Sequence, residues 1–329
     1  MNPLPHIISK VTRQPWVITG EKLTAIIDVL EARQLGDFRA MDYPQDGEHE
    51  DDSGRSDYRE FQSPAGIVAV IPVHGILGKH ISSLEAACGG CSLDTLQSQL
   101  KTALSSPHIS RVLLDINSPG GTVTGTPETA KLIATLAAAK PVWAYTDSEA
   151  CSGALWLAEQ CSNFYASESS SVGSCGVRMV LLDYTRKLEQ DGVQVNAIAS
   201  GKYKLLGAPF KALTEEERGM LQSESDRIHQ EFQMAVNNVR PVADGYLQGQ
   251  VYRGEEAAGY GFTDGVVNDI DGFWRQYMLK QRAGSEETDS SYYSFAVEVL
   301  HKYYDIPDNV EFREDENFFW FGDKMVRKY

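Results

Sequence analysis

The chain has 329 residues, 42% of them hydrophobic and 23% charged, with a formal net charge of −16. That length and composition suit a soluble globular protein with one large core and room for a smaller unit. An acidic balance disfavours phosphate backbones and anionic lipid as main partners, and no run of about 18 or more apolar residues suggests an integral membrane span.

The first segment, 1–41, opens on MNPLPHIISKVTRQPWVITG, which lacks the continuous apolar stretch of a secretory signal. Within it, residues 15–36 show apolar positions at helical spacing behind a Thr cap and predict a short amphipathic helix ending at Gly36. Residues 42–64 are acidic, turn-rich and poor in apolar side chains, and read as a linker. From residue 65 to 283 strand and helix patterns alternate with short connections, the signature of an α/β domain. Strands are expected at 66–77, 111–116 and 141–146, with helices at 92–105 (capped by Ser92) and 126–139. SSVGSCGVRMVLLD (170–183) reads as a glycine-rich turn entering an apolar strand. TEEER at 214–218 opens a long amphipathic helix that runs to about 240, and VVNDIDGFW (266–274) closes the region. Residues 284–329, rich in aromatic and charged side chains, read as a small appendage.

Two turns carry candidate chemistry. In NSPGG (117–121), Gly120 and Gly121 permit positive φ and close backbone approach. In ACSGALWLA (150–158), Ser152 stands between a strand pattern and an apolar helix pattern, with Gly153 behind it. Backbone N–H groups of the three glycines, aimed at one point, would stabilise a tetrahedral oxyanion. The competing reading is two ordinary glycine turns.

A serine nucleophile needs a base. Of the seven histidines, only His74 falls at a strand end near the expected core, where a structural role competes with a catalytic one. Lys202 and Lys204 sit in a glycine-flanked loop, SGKYKLLG. A buried lysine loses its proton more readily and serves as a general base, whereas an exposed one is only a solvated charge. Ser174 is placed to hold a neutral amine by hydrogen bonding, and Cys175 reads as a packing residue. The five cysteines (Cys88, Cys91, Cys151, Cys161, Cys175) are an odd number and suggest free thiols in a reducing compartment. CGGC (88–91) has metal-ligand spacing, but no second pair completes a zinc site, so no metal is expected.

In this order, LLDINSPGG, ACSGALWLA, VGSCGV, SGKYK and VYRGEEAAGYGFTDGVV resemble blocks of the serine peptidase family of signal peptide peptidase A and the phage capsid assembly proteases, over residues 66 to 270. The resemblance implies a Ser-Lys dyad of Ser152 and Lys204, with Ser174 supporting the lysine, Gly120, Gly121 and Gly153 forming the oxyanion site, and Lys202 at a variable position. It implies a Clp protease/crotonase-like spiral of β-β-α units that assembles into a homo-oligomeric ring, polypeptide substrates and no cofactor. The N-terminal segment resembles the phage branch, whose members process scaffold and capsid proteins in the host cytoplasm or inside the prohead. Signal-peptide degradation is the alternative within the family. A crotonase-like acyl-CoA enzyme and a non-catalytic capsid assembly protein are the alternatives outside it.

Overall fold

The computed structural model describes residues 15–19, 58–63, 66–81, 85–86 and 89–273, together with strands at 312–314, 318–321 and 324–327. Backbone contacts divide the chain into two units, residues 1–61 with 67–270, and residues 62–66 with 271–329.

The first unit is a mixed α/β fold built from repeats of a long strand, a short strand and a helix. Its strands are β1 (Trp16–Ile18), β2 (Arg59–Ser63), β3 (Gly66–His74), β4 (Ile76–Gly78), β5 (Gly90–Ser92), β6 (Ile109–Asn117), β7 (Gly120–Thr122), β8 (Val142–Thr146), β9 (Glu149–Cys151), β10 (Asn163–Ala166), β11 (Ser171–Gly173), β12 (Val251–Arg253) and β13 (Gly265–Val266). Helices α1 (Leu93–Ser105), α2 (Thr126–Ala139) and α3 (Gly153–Ala158) close successive repeats. They are followed by α4 (Thr185–Gln190), α5 (Glu215–Asn237) and α6 (Gly254–Tyr260).

The long strands form one sheet in the order β13-β10-β8-β6-β3-β2, with every pair from β13 to β3 parallel. Strands in such a sheet are covered on both faces, which is why RVLLDI reads as a nearly unbroken apolar run rather than an alternating one. Val112, Leu113, Leu114 and Ile116 are all fully buried. The short strands turn away into two separate sheets, β1-β7-β4-β5 and β12-β11-β9. The repeated β-β-α pattern implied by the resemblance is thus what the strands and helices form.

The helices start where the sequence says they should. Ser92 caps α1 by accepting a hydrogen bond from the Thr95 N–H at 3.2 Å, an interaction worth about 1 kcal/mol. Thr214 and Glu217 form a reciprocal capping box at the head of α5. Trp156 of α3 stacks on Phe232 of α5 with ring centroids 4.6 Å apart, fixing the short helix against the long one.

Three expectations need correction. Trp16–Ile18, expected as the start of a helix, is a strand, because Val and Ile between Pro15 and Thr19 fit an extended pleat; residues 20–36 lie outside the described residues. The expected linker ends in β2, where Phe61 and Ser63 point inward while Arg59, Glu60 and Gln62 point out; its charged residues hide that two-residue alternation. The apolar run MVLL at 179–182 is not a strand. Regular pairing in that stretch stops after Gly173, and Arg178 makes only an isolated bridge to Trp16.

In the second unit, strands β14 (Phe312–Glu314), β15 (Phe318–Phe321) and β16 (Lys324–Arg327) form an antiparallel sheet in that order.

Candidate active site

The turn after β6 and the turn after β8 are laced together. The Ser118 N–H donates to the Glu149 carbonyl at 2.8 Å, and the Cys151 N–H donates to the Ser118 carbonyl at 3.0 Å. Parallel pairing of β9 with β11 sets Cys151 opposite Gly173, and the Ser152 N–H donates to the Gly173 carbonyl at 2.8 Å. These bonds bring Gly120, Gly121, Ser152, Gly153 and Ser174 into one small region, although up to 54 positions of sequence separate them.

Ser152 occupies the sharp strand-to-helix turn, at φ 54 and ψ −116, a region that L residues rarely visit. The residue is completely buried, and its Oγ has no hydrogen-bond partner. A buried hydroxyl without a partner gives up about 1–3 kcal/mol, so an unpaired one on a strained backbone calls for a functional explanation.

Backbone donors surround it. Gly120 adopts φ 98, and a Cβ there would lie 2.1 Å from the Val17 carbonyl oxygen and 2.8 Å from the Gly153 nitrogen. A Cβ on Gly153 would stand 3.2 Å from that same Val17 oxygen and 3.4 Å from the Gly121 nitrogen. Only glycine fits such crowding. The Gly120 N–H is already taken, donating to the Ser118 Oγ at 3.2 Å, and that hydroxyl in turn donates to the Gly75 carbonyl at 2.6 Å. Gly120 therefore gives the site its shape, and the backbone nitrogens of Gly121 and Gly153 lie close beside it.

Ser174, one residue beyond the Gly173 that faces Cys151, also has positive φ, at 58. It is nearly buried, and its N–H donates to the Gln250 carbonyl at 2.5 Å. Cys151, directly before Ser152, has its thiol pushed up to about 12 by burial, and its Sγ lies 3.5 Å from the Ser171 carbonyl oxygen. Burial likewise pushes the Cys175 thiol up to about 12.

The lysines are elsewhere. Lys202 pairs with Glu216 at 2.5 Å, and that hydrogen bond holds its ammonium above its ordinary value. Lys204 is exposed on the segment 191–204, every residue of which is exposed, and it lines a cavity of about 430 Å³ with Met179, Leu181, Leu205, Phe210 and Leu221. Within one chain Lys204 does not hydrogen-bond Ser152, whose Oγ has no partner.

His74 is half-exposed and bonded to Asp115, Nε2 to Oδ2 at 3.0 Å, which raises its pKa above 6.5. His80 pairs with Asp94, His108 with Glu60, and the His229 Nε2 lies 2.8 Å from the Leu247 carbonyl oxygen. No group of three or more potential metal ligands occurs among the described residues. Cys91 has its thiol pushed up to about 11 by burial, and Cys88 lies outside the described residues.

Two neighbours of the site, Trp16–Ile18 and Arg178, carry no sequence signal for that place. Strand β1 pairs antiparallel with β7, Val17 facing Gly121, while Trp16 and Arg178 exchange two backbone hydrogen bonds of 2.9 Å. The only cue to the strand itself was the short β-favouring triplet WVI after a proline.

The chain is 32% identical over 280 residues to capsid assembly protease C of Escherichia phage lambda, covering 81% of this chain and 62% of that protein. It is 33% identical over 221 residues to head-tail preconnector protein GP5 of Enterobacteria phage P21, covering 66% of this chain and 44% of that protein. A putative signal peptide peptidase SppA of Enterococcus faecium is 29% identical over 177 residues, covering 51% of this chain and 50% of that protein. The chain thus spans less than two thirds of the length of each of these relatives. The family model for peptidase family S49 matches residues 134–274, the stretch that contains Ser152, Ser174 and Lys204. Over that stretch the chain carries a domain of peptidase family S49.

Proposed function

We propose that the chain is a serine endopeptidase in which Ser152 is the nucleophile and Lys204 the general base. The observation that carries this reading is the Ser152 hydroxyl itself, buried and unpartnered on a strained turn next to Gly153. Neutral Lys204 would take the Ser152 proton as the oxygen attacks a peptide carbonyl. The N–H groups of Gly121 and Gly153 would hold the developing oxyanion. The ammonium would then protonate the leaving amine, and water would release the acyl group by the same path. Ser174, next to the nucleophile across the β9–β11 ladder, is suited to receive the amine.

Lys204 would come from a second copy of the chain. It rides on a wholly exposed segment carrying Val193, Val195 and Ile198, the last fully exposed. Apolar side chains in that setting suit an interface between copies, in line with a ring assembly. The substrates would be proteins of phage head assembly. The two phage relatives match more of this chain, at higher identity, than the SppA relative does.

A fluorophosphonate probe tests the chemistry. Mass spectrometry should find it on Ser152, and on nothing in the Ser152→Ala chain. Lys204→Met should slow both labelling and peptide hydrolysis by about 10²–10⁴-fold, the usual contribution of a general base. Co-expression with phage head proteins should give discrete fragments that Ser152→Ala does not produce. Turnover of an acyl-CoA thioester without labelling at Ser152 would overturn the reading, and co-assembly without cleavage would point to a non-catalytic assembly role.

A further inference from the structure

Strand β1 runs along the strand that carries Gly120 and Gly121. It runs antiparallel to β7 on one side and bonds to Arg178 on the other, so it is the middle strand of a short three-stranded arrangement. The alternation of the ladder fixes which way each carbonyl points. The Val123 N–H donates to the Pro15 carbonyl at 3.4 Å, and the Thr19 N–H donates to the Pro119 carbonyl at 3.1 Å. In an antiparallel pair the hydrogen-bonded positions recur every second residue, so Val17 and Gly121 form the bonded pair between those two. The Val17 carbonyl therefore points at the Gly121 N–H. The even position, Trp16, turns its N–H and carbonyl the other way, to Arg178.

The crowding around the glycines agrees. The Val17 oxygen is the nearest atom to the place a Cβ would take on Gly120, and it is close to the corresponding place on Gly153. The Val17 side chain covers Gly153, its Cγ2 lying 3.1 Å from that second place. Val17 and Ser152 are both completely buried. With β1 in position the Gly121 N–H is already taken by the Val17 carbonyl.

We propose that Trp16–Ile18 is a substrate-like occupant of the peptide groove, which keeps the site latent until the strand withdraws. It also reports what the groove accepts: an extended polypeptide added as an antiparallel strand, with a valine-sized apolar side chain on the residue whose carbonyl meets Gly121. The strand is short, and its ladder with β7 ends on a proline at each end, Pro15 on one strand and Pro119 on the other. Neither proline has an N–H to extend the ladder, so a few bonds hold the occupant and a longer substrate can displace it. The latency and the specificity rest on the peptidase reading; the occupancy does not.

The test separates the two. A fluorescein-tagged peptide of residues 13–21 is titrated against the native chain and against Val17→Asp, which places a charge in the apolar seat. Binding at least tenfold tighter to Val17→Asp than to the native chain is expected, and at least tenfold weaker binding of a peptide carrying Trp in place of Val17. If circular dichroism shows Val17→Asp unfolded, Trp16→Pro takes its place, since it removes the N–H that donates to Arg178 together with the buried indole, while leaving the Val17 seat unchanged. A folded variant that binds the peptide no better than the native chain overturns the inference, as does equal binding of the two peptides. Fluorophosphonate labelling of Ser152 is then timed in each chain. Faster labelling in the variant supports latency, and equal rates overturn it. Peptide binding as expected with no labelling in any chain keeps the occupied groove and removes the nucleophile.

Discussion

At the scale of single residues, the sequence exposes chemistry best where a rare residue type sits in a rare setting. A serine between small residues at a strand-to-helix change made Ser152 a candidate beside the reading of an ordinary glycine turn, and the structure adds the positive φ and the orphaned hydroxyl. Strain of that kind costs on the order of 1–3 kcal/mol and persists only where the surroundings over-determine it. Here the Gly173 carbonyl and the buried helix behind it supply that constraint. His74 shows the limit of such reasoning. Its place at a strand end was legible, but its partner was not, because Asp115 belongs to a different strand 41 positions away. The hydrogen bond to Asp115 raises the His74 pKa above the ordinary 6.5. The folded chain thus holds the proton more tightly than the unfolded chain. The resulting stabilisation is complete below pH 6.5 and disappears as pH rises through the folded-state value. An NMR titration should find that value above 6.5 and see it fall in Asp115→Asn. No change would mean that the pair contributes nothing.

At the scale of elements, helices and long strands were legible because capping residues and long apolar runs announce them locally. The three-residue strands were not, since three residues carry no periodicity and their partners are remote. The anchoring of α3 was equally hidden. Arg240 donates to the Glu159 carbonyl at 3.1 Å and to its carboxylate at 3.2 Å, at the end of the helix that Ser152 begins. Its other arm reaches the Cys161 carbonyl at 3.3 Å and Asp264 at 2.7 Å. Glu159 is fully buried, and burial pushes its carboxyl up to about 8 against the pull of Arg240. Removing the arginine alone would strand that acid. Arg240→Met should cost about 3–5 kcal/mol, read as a lowered urea midpoint, and adding Glu159→Gln should recover part of it. A midpoint within error of the native one would show that the network carries no stability.

At the scale of the whole molecule, the α/β class and the order of repeats could be read from alternating patterns, and the helical spacing beyond residue 18 drew attention away from the strand before it. No pattern in one chain announces a site shared by two. The exposed segment that carries Lys204 makes this a question of assembly, which mixing can answer. Ser152→Ala and Lys204→Met chains, each inactive, are co-expressed in equal amounts. If the lysine comes from a neighbour, random assembly gives an intact serine beside an intact lysine at about a quarter of the sites, and activity returns to that level. Activity that stays at background would place both groups in the same chain.

The neighbouring thiol has a practical consequence. Cys151 and Ser152 adjoin in sequence, yet burial pushes the thiol up to about 12, so it stays protonated at neutral pH. Alkylating and mercurial reagents attack thiolates, so this centre should be indifferent to compounds that silence cysteine peptidases. Preparations handled in air should also keep this position unoxidised. The two side chains differ by one atom, oxygen for sulfur, and their surroundings have given the stronger intrinsic nucleophile the inert role.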